Sequence, residues 1–167
     1  MKQYLSSHNP QREGKIIMAS AIFIASLLIL STVLFHYSVL KWLSGGMSRI
    51  AMSDHVRIVS IVFFIFVAHV IEVVLYAIVF AISVNFLAIG SFGGLAVEQP
   101  LDYLYFSIVS YTSLGLGDVY PGAHLRFLAG IEALNGLLLI AWSGSFIYMA
   151  MIRLWRWEKC AIPDNRS

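Results

Sequence analysis

The sequence predicts an all-α integral membrane protein with three membrane-spanning helices and one short helix between the second and the third. Of its 167 residues, 59% are apolar and only 12% are charged, whereas an ordinary soluble domain contains about 25% charged residues. The apolar residues form long uninterrupted blocks, and about 20 such residues are enough to cross the hydrocarbon core of a bilayer as a helix. Composition and block length together predict a single membrane domain in the lipid bilayer.

Three blocks are long enough to span. They cover residues 16–40, 57–89 and 125–154. Residues 1–15 are polar and contain Pro10 and Gly14, so a loose tail is predicted before the first block. Residues 41–54 form a polar link that contains two glycines. The first block has an alternative interpretation, because it could also lie in the membrane interface or form a hairpin.

A shorter apolar segment, residues 101–112, is followed by glycines alternating with larger residues. A helix of this length cannot span, so we expect a re-entrant segment, which is tolerated at membrane depth only where it lines a cavity. Gly115 and Gly117 accept left-handed backbone angles, so successive carbonyls can turn to one side. Rings of carbonyls can replace the water shell of an ion. One chain supplies one such strand, and a ring therefore requires several subunits about an axis.

Residues 101–121 read LDYLYFSIVSYTSLGLGDVYP. This segment resembles the pore helix and the Thr-Val-Gly-Tyr-Gly-Asp filter of potassium channels, and the resemblance extends over about residues 57–154. It implies a potassium-channel-like pore with one extra N-terminal transmembrane helix, as in a bacterial three-helix variant. The implied domains are residues 1–56, with the tail, first helix and cytoplasmic link; residues 57–154, the pore domain; and residues 155–167, a short cytoplasmic tail.

The same resemblance implies function and partners. The chain is expected to conduct cations passively as a homotetramer of identical subunits in the inner, or plasma, membrane of a bacterium. Potassium would be the permeant ion at the filter carbonyls, and no cofactor is expected. Two other functions stay open, namely a weakly selective cation pore and a non-conducting regulatory subunit with a pore-like fold.

Site residues are also implied by the resemblance. The ion-binding filter residues would be Ser113, Leu114, Gly115, Leu116 and Gly117. The residues expected to support the filter are Thr112, Asp118, Tyr105 and Phe106. Gly136 lies where related inner helices often have a hinge glycine, although a small residue also permits close packing of helices. Both interpretations of Gly136 remain open.

The filter departs from the common family pattern at two places. Leu116 occupies the usual tyrosine position and cannot donate a hydrogen bond, so we expect support by packing, a less rigid filter and weaker discrimination of potassium over sodium. Asp118 has Val109, rather than an acidic residue, at the usual position of its pore-helix partner. Its hydrogen-bond partner must therefore be another residue. Asp102 is expected to cap the short helix.

Four polar side chains inside the predicted spans are candidates for a functional role: His69, Glu72, Glu132 and Asn135. Burying an ionisable group in a membrane costs several kcal/mol unless it is paired or neutral. His69 and Glu72 are three residues apart and share a helix face. They could form a proton- or metal-sensitive gate, or a hydrogen-bonded pair that fixes packing, with Asn135 as a possible partner. Two ligands on one helix are too few for a transition-metal site, and none is predicted.

Other classes of function are not supported. The sequence has no nucleophile–base pair, phosphate loop or metal-ligand set with useful spacing, so an enzyme is not expected. The basic residues form no stripe of the kind that binds nucleic acid. Cys160 is the single cysteine, which excludes a disulfide within this sequence. No span carries the arginine array of a voltage sensor.

The orientation of the spans involves a conflict. If the filter faces outward, as in the family, three spans place the N-terminus outside. Lys2, Arg12 and Lys15 would then lie on the side that basic residues usually avoid. The charge rule therefore supports only the last two spans.

Overall fold

The computed structural model describes residues 10–46 and 52–154. The helices are α1 (Pro10–Gly46), α2 (Asp54–Asn85), α3 (Pro100–Tyr111) and α4 (Leu125–Leu154), and the strands are β1 (Phe92–Gly94) and β2 (Val119–Pro121). Helices α1, α2 and α4 are long and apolar enough to cross a membrane. Helix α3 has only 12 residues. The prediction of an all-α membrane fold with three spans and a short helix is confirmed.

Helix α1 is longer than the apolar pattern predicted. It begins at Pro10 and ends at Gly46, so the prediction of a loose tail is wrong for residues 10–15, and residues 41–46 are helical rather than part of the link. Proline is accepted in the first turn because its missing N–H would have no helical partner there. A continuous helix also rules out the hairpin alternative for residues 16–40. The predicted tail at residues 1–9 and the link at 47–51 lie outside the described residues.

The second span ends earlier than predicted, at Asn85 rather than near residue 89. The N–H groups of Phe86 and Leu87 both donate to the Ile82 carbonyl, at 3.0 and 3.2 Å. Ala88 then has a φ of 48°, a left-handed conformation that stops a right-handed helix. The chain turns here toward the short strands.

Strands β1 and β2 form an antiparallel pair that the sequence did not predict. Gly94 lies opposite Val119 in this pair, and the N–H of Leu95 donates to the Asp118 carbonyl at 2.8 Å. Gly94 has a φ of 91°, and a Cβ at this position would overlap the Asp118 carbonyl oxygen. Glycine is therefore required where the loop before α3 contacts the end of the filter segment.

Two apolar clusters show how the spans run. One cluster contains Ala21, Ala25, Leu28, Tyr76, Phe80, Tyr103, Phe106, Leu125 and Leu128. The other contains Leu40, Leu43, Ile61 and Ile65, with Phe146, Ile147, Ala150 and Leu154 packed against them. The first part of α1 therefore lies at the end of the molecule that contains α3 and the two strands, and its last part lies at the opposite end. This agrees with three alternating spans, while the side of the membrane that the filter faces stays a prediction.

Gly136 lies at the crossing of α3 and α4. It is buried, and a Cβ there would overlap the carbonyl oxygen of Tyr111 and approach its ring to 2.9 Å. Helix α4 continues through this position without interruption. Close packing is thus a sufficient reason for glycine here, and hinge bending stays a prediction.

Gly136→Ala should lower the stability of the protein by about 1–3 kcal/mol, because the added methyl group overpacks the α3–α4 contact. Gly144→Ala is a control on the same helix, since a Cβ at Gly144 meets no atom of the chain within 4 Å. Thermal unfolding of the two purified variants in detergent measures the difference. Equal unfolding temperatures for both variants would contradict the packing role of Gly136.

Candidate ion filter and the polar cluster behind it

The segment that follows α3 has an alternating backbone. Ser113, Gly115 and Gly117 have φ values of 56°, 58° and 80°, whereas Leu114 and Leu116 do not have positive φ. Alternation of residues with positive φ and residues without it is a backbone pattern that can turn successive carbonyls to one side and the N–H groups to the other. Glycine adopts the left-handed conformation without steric cost. The spacing of Gly115 and Gly117 therefore suits a strand lined by carbonyls.

The filter segment is open to its surroundings in the single chain. Residues 112–117 are exposed, with 62% of Leu114 and 58% of Leu116 accessible. No atom lies within 4 Å of the place where a Cβ would project from Gly115 or Gly117. One chain thus leaves free the space that neighbouring copies would fill in a ring.

The start of the filter is fixed to the pore helix by its backbone. The N–H of Ser113 donates to the Ser110 carbonyl and the N–H of Leu114 donates to the Val109 carbonyl, both at 2.9 Å. The Thr112 hydroxyl donates to the Ile108 carbonyl at 2.7 Å. Thr112 therefore contacts its own helix, at the helix end that carries partial negative charge.

The end of the filter is held by a hydrogen bond between side chains. The Tyr105 hydroxyl of α3 donates to Asp118 at 2.5 Å, and the N–H of Val119 donates to the other oxygen at 3.0 Å. Tyr105 is therefore the partner that Asp118 was predicted to need. Support around Leu116 by packing stays a prediction. The bond from Tyr105 holds the pKa of Asp118 below its usual value and raises the pKa of Tyr105.

Phe106 lies on the other side of α3. Its ring packs against Phe80 and Phe92, with centroid distances of 5.0 and 4.7 Å. It also lines, together with Ser113 and Ala133, a groove of about 300 Å³ behind the filter. Phe106 thus anchors the pore helix against α2 and β1, while Tyr105 contacts the filter exit directly.

Asp102 caps α3 as the sequence predicted. Its carboxylate accepts the N–H groups of Gln99 and Glu98 at 2.8 and 3.0 Å, and the Gln99 side chain completes a reciprocal capping box. These backbone bonds lower the pKa of Asp102. The start of the pore helix is therefore fixed independently of the filter.

Behind the pore helix, Glu72 is the centre of a buried polar cluster. Its carboxylate is fully buried and lies 2.9 Å from Nδ1 of His36 and 3.2 Å from Nδ1 of His69. The Tyr111 hydroxyl donates to it at 2.6 Å. The interaction of His69 with Glu72 agrees with the predicted pairing on one helix face, and His36 on α1 and Tyr111 on α3 join the pair.

Ser143 closes this cluster into a ring. Its hydroxyl lies 2.9 Å from Nε2 of His69 and 3.0 Å from Nε2 of His36. We define the Glu72 cluster as Glu72, His36, His69, Tyr111 and Ser143. All four helices contribute to it, so the cluster fixes their relative positions.

Three members of the Glu72 cluster, His36, Tyr111 and Ser143, were not predicted from the sequence. His36 gave a signal, because it is the one side chain within the first apolar block that can carry a positive charge. Tyr111 and Ser143 gave none, since hydroxyl side chains are common in membrane helices. Their roles depend on helix contacts that a single sequence does not contain.

Asn135 does not join His69 and Glu72, so that expected partnership is wrong. Its amide donates to the Thr32 hydroxyl at 2.9 Å and to the Tyr76 hydroxyl at 3.1 Å. Asn135 and Thr32 are both buried. This is a second polar connection between α1 and the helices around the filter.

Glu132 has a separate environment. The Ser107 hydroxyl lies 2.5 Å from one Glu132 oxygen and 2.9 Å from the Val73 carbonyl. A single hydroxyl hydrogen cannot serve both acceptors. The geometry is satisfied when Glu132 is protonated and donates to Ser107, which in turn donates to Val73. A neutral carboxyl also avoids the large cost of an unpaired buried charge.

The two buried carboxyls should therefore respond differently to replacement by glutamine. Glu72→Gln places an amide donor against donors of the Glu72 cluster and should cost about 1–3 kcal/mol of stability. Glu132→Gln keeps a donor for Ser107 and should cost much less. Denaturant unfolding in detergent compares the two. If Glu132→Gln proved as harmful as Glu72→Gln, a protonated Glu132 would be excluded.

Comparison with known proteins agrees with the geometry of the pore region. The family model described as "Ion channel" matches residues 68–153, just over half of the chain. The match begins inside α2 and ends in α4, so it includes α3, the filter segment and most of the Glu72 cluster. No curated protein and no solved structure matches the chain. The chain belongs to the ion-channel family, as an integral membrane protein with more than one span.

Proposed function

We propose that the chain is one subunit of a potassium-type cation channel, in which four copies conduct ions through the backbone of residues 113–117. The observation that carries the proposal is the alternation of positive φ at Ser113, Gly115 and Gly117. This pattern lies between a pore helix and a third span in a chain of the ion-channel family. Passive conduction requires no enzyme chemistry.

Assembly follows from the exposure of the filter. Each chain contributes a single exposed strand, and carbonyls must surround an ion to replace its water shell. Closed cyclic symmetry provides such a ring, and the resemblance to potassium channels implies four subunits. The bilayer in which it would act is the plasma membrane of a bacterium.

The charges near the filter favour cations. Helix α3 ends at Tyr111, immediately before the filter, and the C-terminal end of a helix carries partial negative charge. At the opposite end of the filter, Asp118 and Glu98 lie on loops, and Asp102 lies in the first turn of α3. These carboxylates raise the local concentration of cations.

A weakly selective cation pore is the second candidate, and Leu116 favours it. This exposed leucine replaces a residue that could donate a hydrogen bond from within the filter. The Tyr105–Asp118 bond supports the exit, while the middle of the filter depends on its own backbone. Strictness of selection therefore depends on how firmly neighbouring subunits pack around Leu116.

Flux through the purified protein in liposomes tests the function. We expect potassium flux that exceeds sodium flux. Gly115→Ala should reduce it, because a left-handed conformation costs an alanine roughly 1–2 kcal/mol and Gly115 has a φ of 58°. Size measurement of both proteins controls for assembly. Equal potassium and sodium flux would support the weakly selective pore, and no flux from intact tetramers would indicate the non-conducting regulatory subunit.

Tyr105→Phe should change the acid sensitivity of conduction. The Tyr105 hydroxyl lowers the pKa of Asp118, so the carboxylate keeps its charge, and its bond, until the pH falls below the usual aspartate range. Without the hydroxyl, that pKa rises toward its ordinary value and Asp118 is neutralised at higher pH. The midpoint for inhibition of cation current by protons on the filter side should therefore move to higher pH.

Tyr103→Phe is the matched control, because Tyr103 lies on the same helix and its hydroxyl instead accepts a bond from Asn85 at 3.2 Å. Its pH profile should match that of the unmodified protein. Identical profiles for Tyr105→Phe and Tyr103→Phe would show that the Tyr105–Asp118 bond does not control the charge at the exit.

A further inference from the structure

Three side chains of the Glu72 cluster are of types that bind transition metals. Potential ligand atoms of His36, His69 and Glu72 all lie within 4.8 Å of one another. Helix α2 alone carries two of these ligands, and His36 from α1 supplies the third. We propose that His36, His69 and Glu72 form a binding site for a divalent transition cation, for which zinc has the most suitable chemistry.

The orientation of the ligands suits one ion. Both imidazoles present Nδ1 to the carboxylate, at 2.9 Å for His36 and 3.2 Å for His69. Zinc binds nitrogen and carboxylate oxygen at about 2.0–2.2 Å, so neighbouring ligands of one tetrahedral ion lie roughly 3.3 Å apart. The hydrogen-bonded separations are therefore already close to those of a coordination shell.

Ser143 prepares both imidazoles for coordination. Its hydroxyl oxygen can accept two hydrogen bonds, and it lies within 3.0 Å of Nε2 of both His36 and His69. Without a metal, the Nδ1–H groups donate to Glu72. On coordination each neutral ring carries its hydrogen on Nε2, where it donates to Ser143, and the lone pair of Nδ1 is then free to bind the cation beside the carboxylate. An outer partner that fixes the tautomer of a ligating histidine is a usual feature of zinc sites.

A fourth position is available at Tyr111. Its hydroxyl oxygen lies 2.9 Å from Nδ1 of His69 and 2.6 Å from Glu72. His36 and Glu72 are fully buried, whereas 18% of the His69 side chain is exposed. An ion therefore has its approach on the side of His69.

Two imidazole nitrogens with one carboxylate are a ligand set of zinc sites. Calcium and magnesium prefer oxygen ligands throughout. A bound cation would join α1 to α2 next to Tyr111, the last residue of α3 before the filter segment. The site is thus placed to stiffen the contact that supports the filter from behind.

Cobalt(II), which reports tetrahedral coordination by its visible absorption, provides the test. The purified full chain in lipid nanodiscs, first stripped with a chelator, is titrated with Co²⁺ and then with competing Zn²⁺. We expect one Co²⁺ per chain in the micromolar range or tighter, displaced by Zn²⁺. His36→Gln and His69→Gln should each weaken binding at least tenfold, whereas His55→Gln, an exposed histidine outside the cluster, should leave binding unchanged.

Ser143→Ala provides a variant that keeps all three ligands, and loss of an outer partner should weaken binding about 10–100-fold. If a histidine variant fails to fold, Ser143→Ala still tests the site. Absence of Co²⁺ binding by the unmodified protein, as expected if the cluster holds only protons, would overturn the proposal. Unchanged binding in the variants of the cluster would do the same. Co²⁺ binding is measured by absorption and not by ion flux. Failure of the metal site would therefore say nothing against the proposed conduction.

Discussion

The arrangement of the helices depends on the buried carboxylate of Glu72. A carboxylate without exposure to water is stable only when donors surround it, and removing one partner of a buried charged group costs about 3–5 kcal/mol. The groups facing it come from α1, α2 and α3, through His36, His69 and Tyr111. Since Ser143 of α4 connects the two histidines, no helix can shift without breaking a hydrogen bond of the cluster.

This constraint reaches the filter through Tyr111. Its hydroxyl bonds Glu72, while its carbonyl lies against Gly136 of α4. Tyr111 is followed directly by Thr112 and the filter segment. The start of the candidate filter is therefore positioned by a hydrogen bond on one side of α3 and by close backbone packing on the other, and Tyr105 positions its end at Asp118.

Helix α1 is part of the same construction although the family match begins only at residue 68. It contributes His36 to the Glu72 cluster and Thr32 to the bond with Asn135. The side chains of His36 and Thr32 are fully buried. An added helix that merely covered the pore module would need only apolar contacts, so these polar contacts give α1 a fixed position along the axis of its neighbours.

Much of the fold could be predicted from the sequence, because hydrocarbon thickness sets the length of apolar runs. The bounds of α4 were correct on this basis. The cap at Asp102 was predicted separately, from an acidic residue near the start of the short helix. The predicted ends of α1 were wrong, because a helix can continue past the apolar region into polar residues. The short pairing of β1 with β2 has too few residues to leave a periodic pattern.

The candidate site was predictable where a local pattern encodes it and unpredictable where distant residues meet. Alternating glycines predicted the left-handed backbone angles at residues 115 and 117, and Glu72 could be recognised as an ionisable residue within a span. The identity of its partners depends on residues up to 107 positions apart, as for His36 and Ser143. The sequence predicted that Asp118 needs a hydrogen-bond partner. Tyr105 could not be identified as that partner, because the contact depends on the turn of the chain between the two residues.

The central claim is that backbone carbonyls of residues 113–117 surround permeant cations. A crystal structure of the assembled protein grown with thallium(I), an anomalous scatterer of nearly the size of potassium, tests it most directly. The claim predicts a column of anomalous peaks on a fourfold axis, coordinated by the carbonyls of these residues. Side chains of Leu114 or Leu116 on that axis, or an axis without peaks, would contradict it.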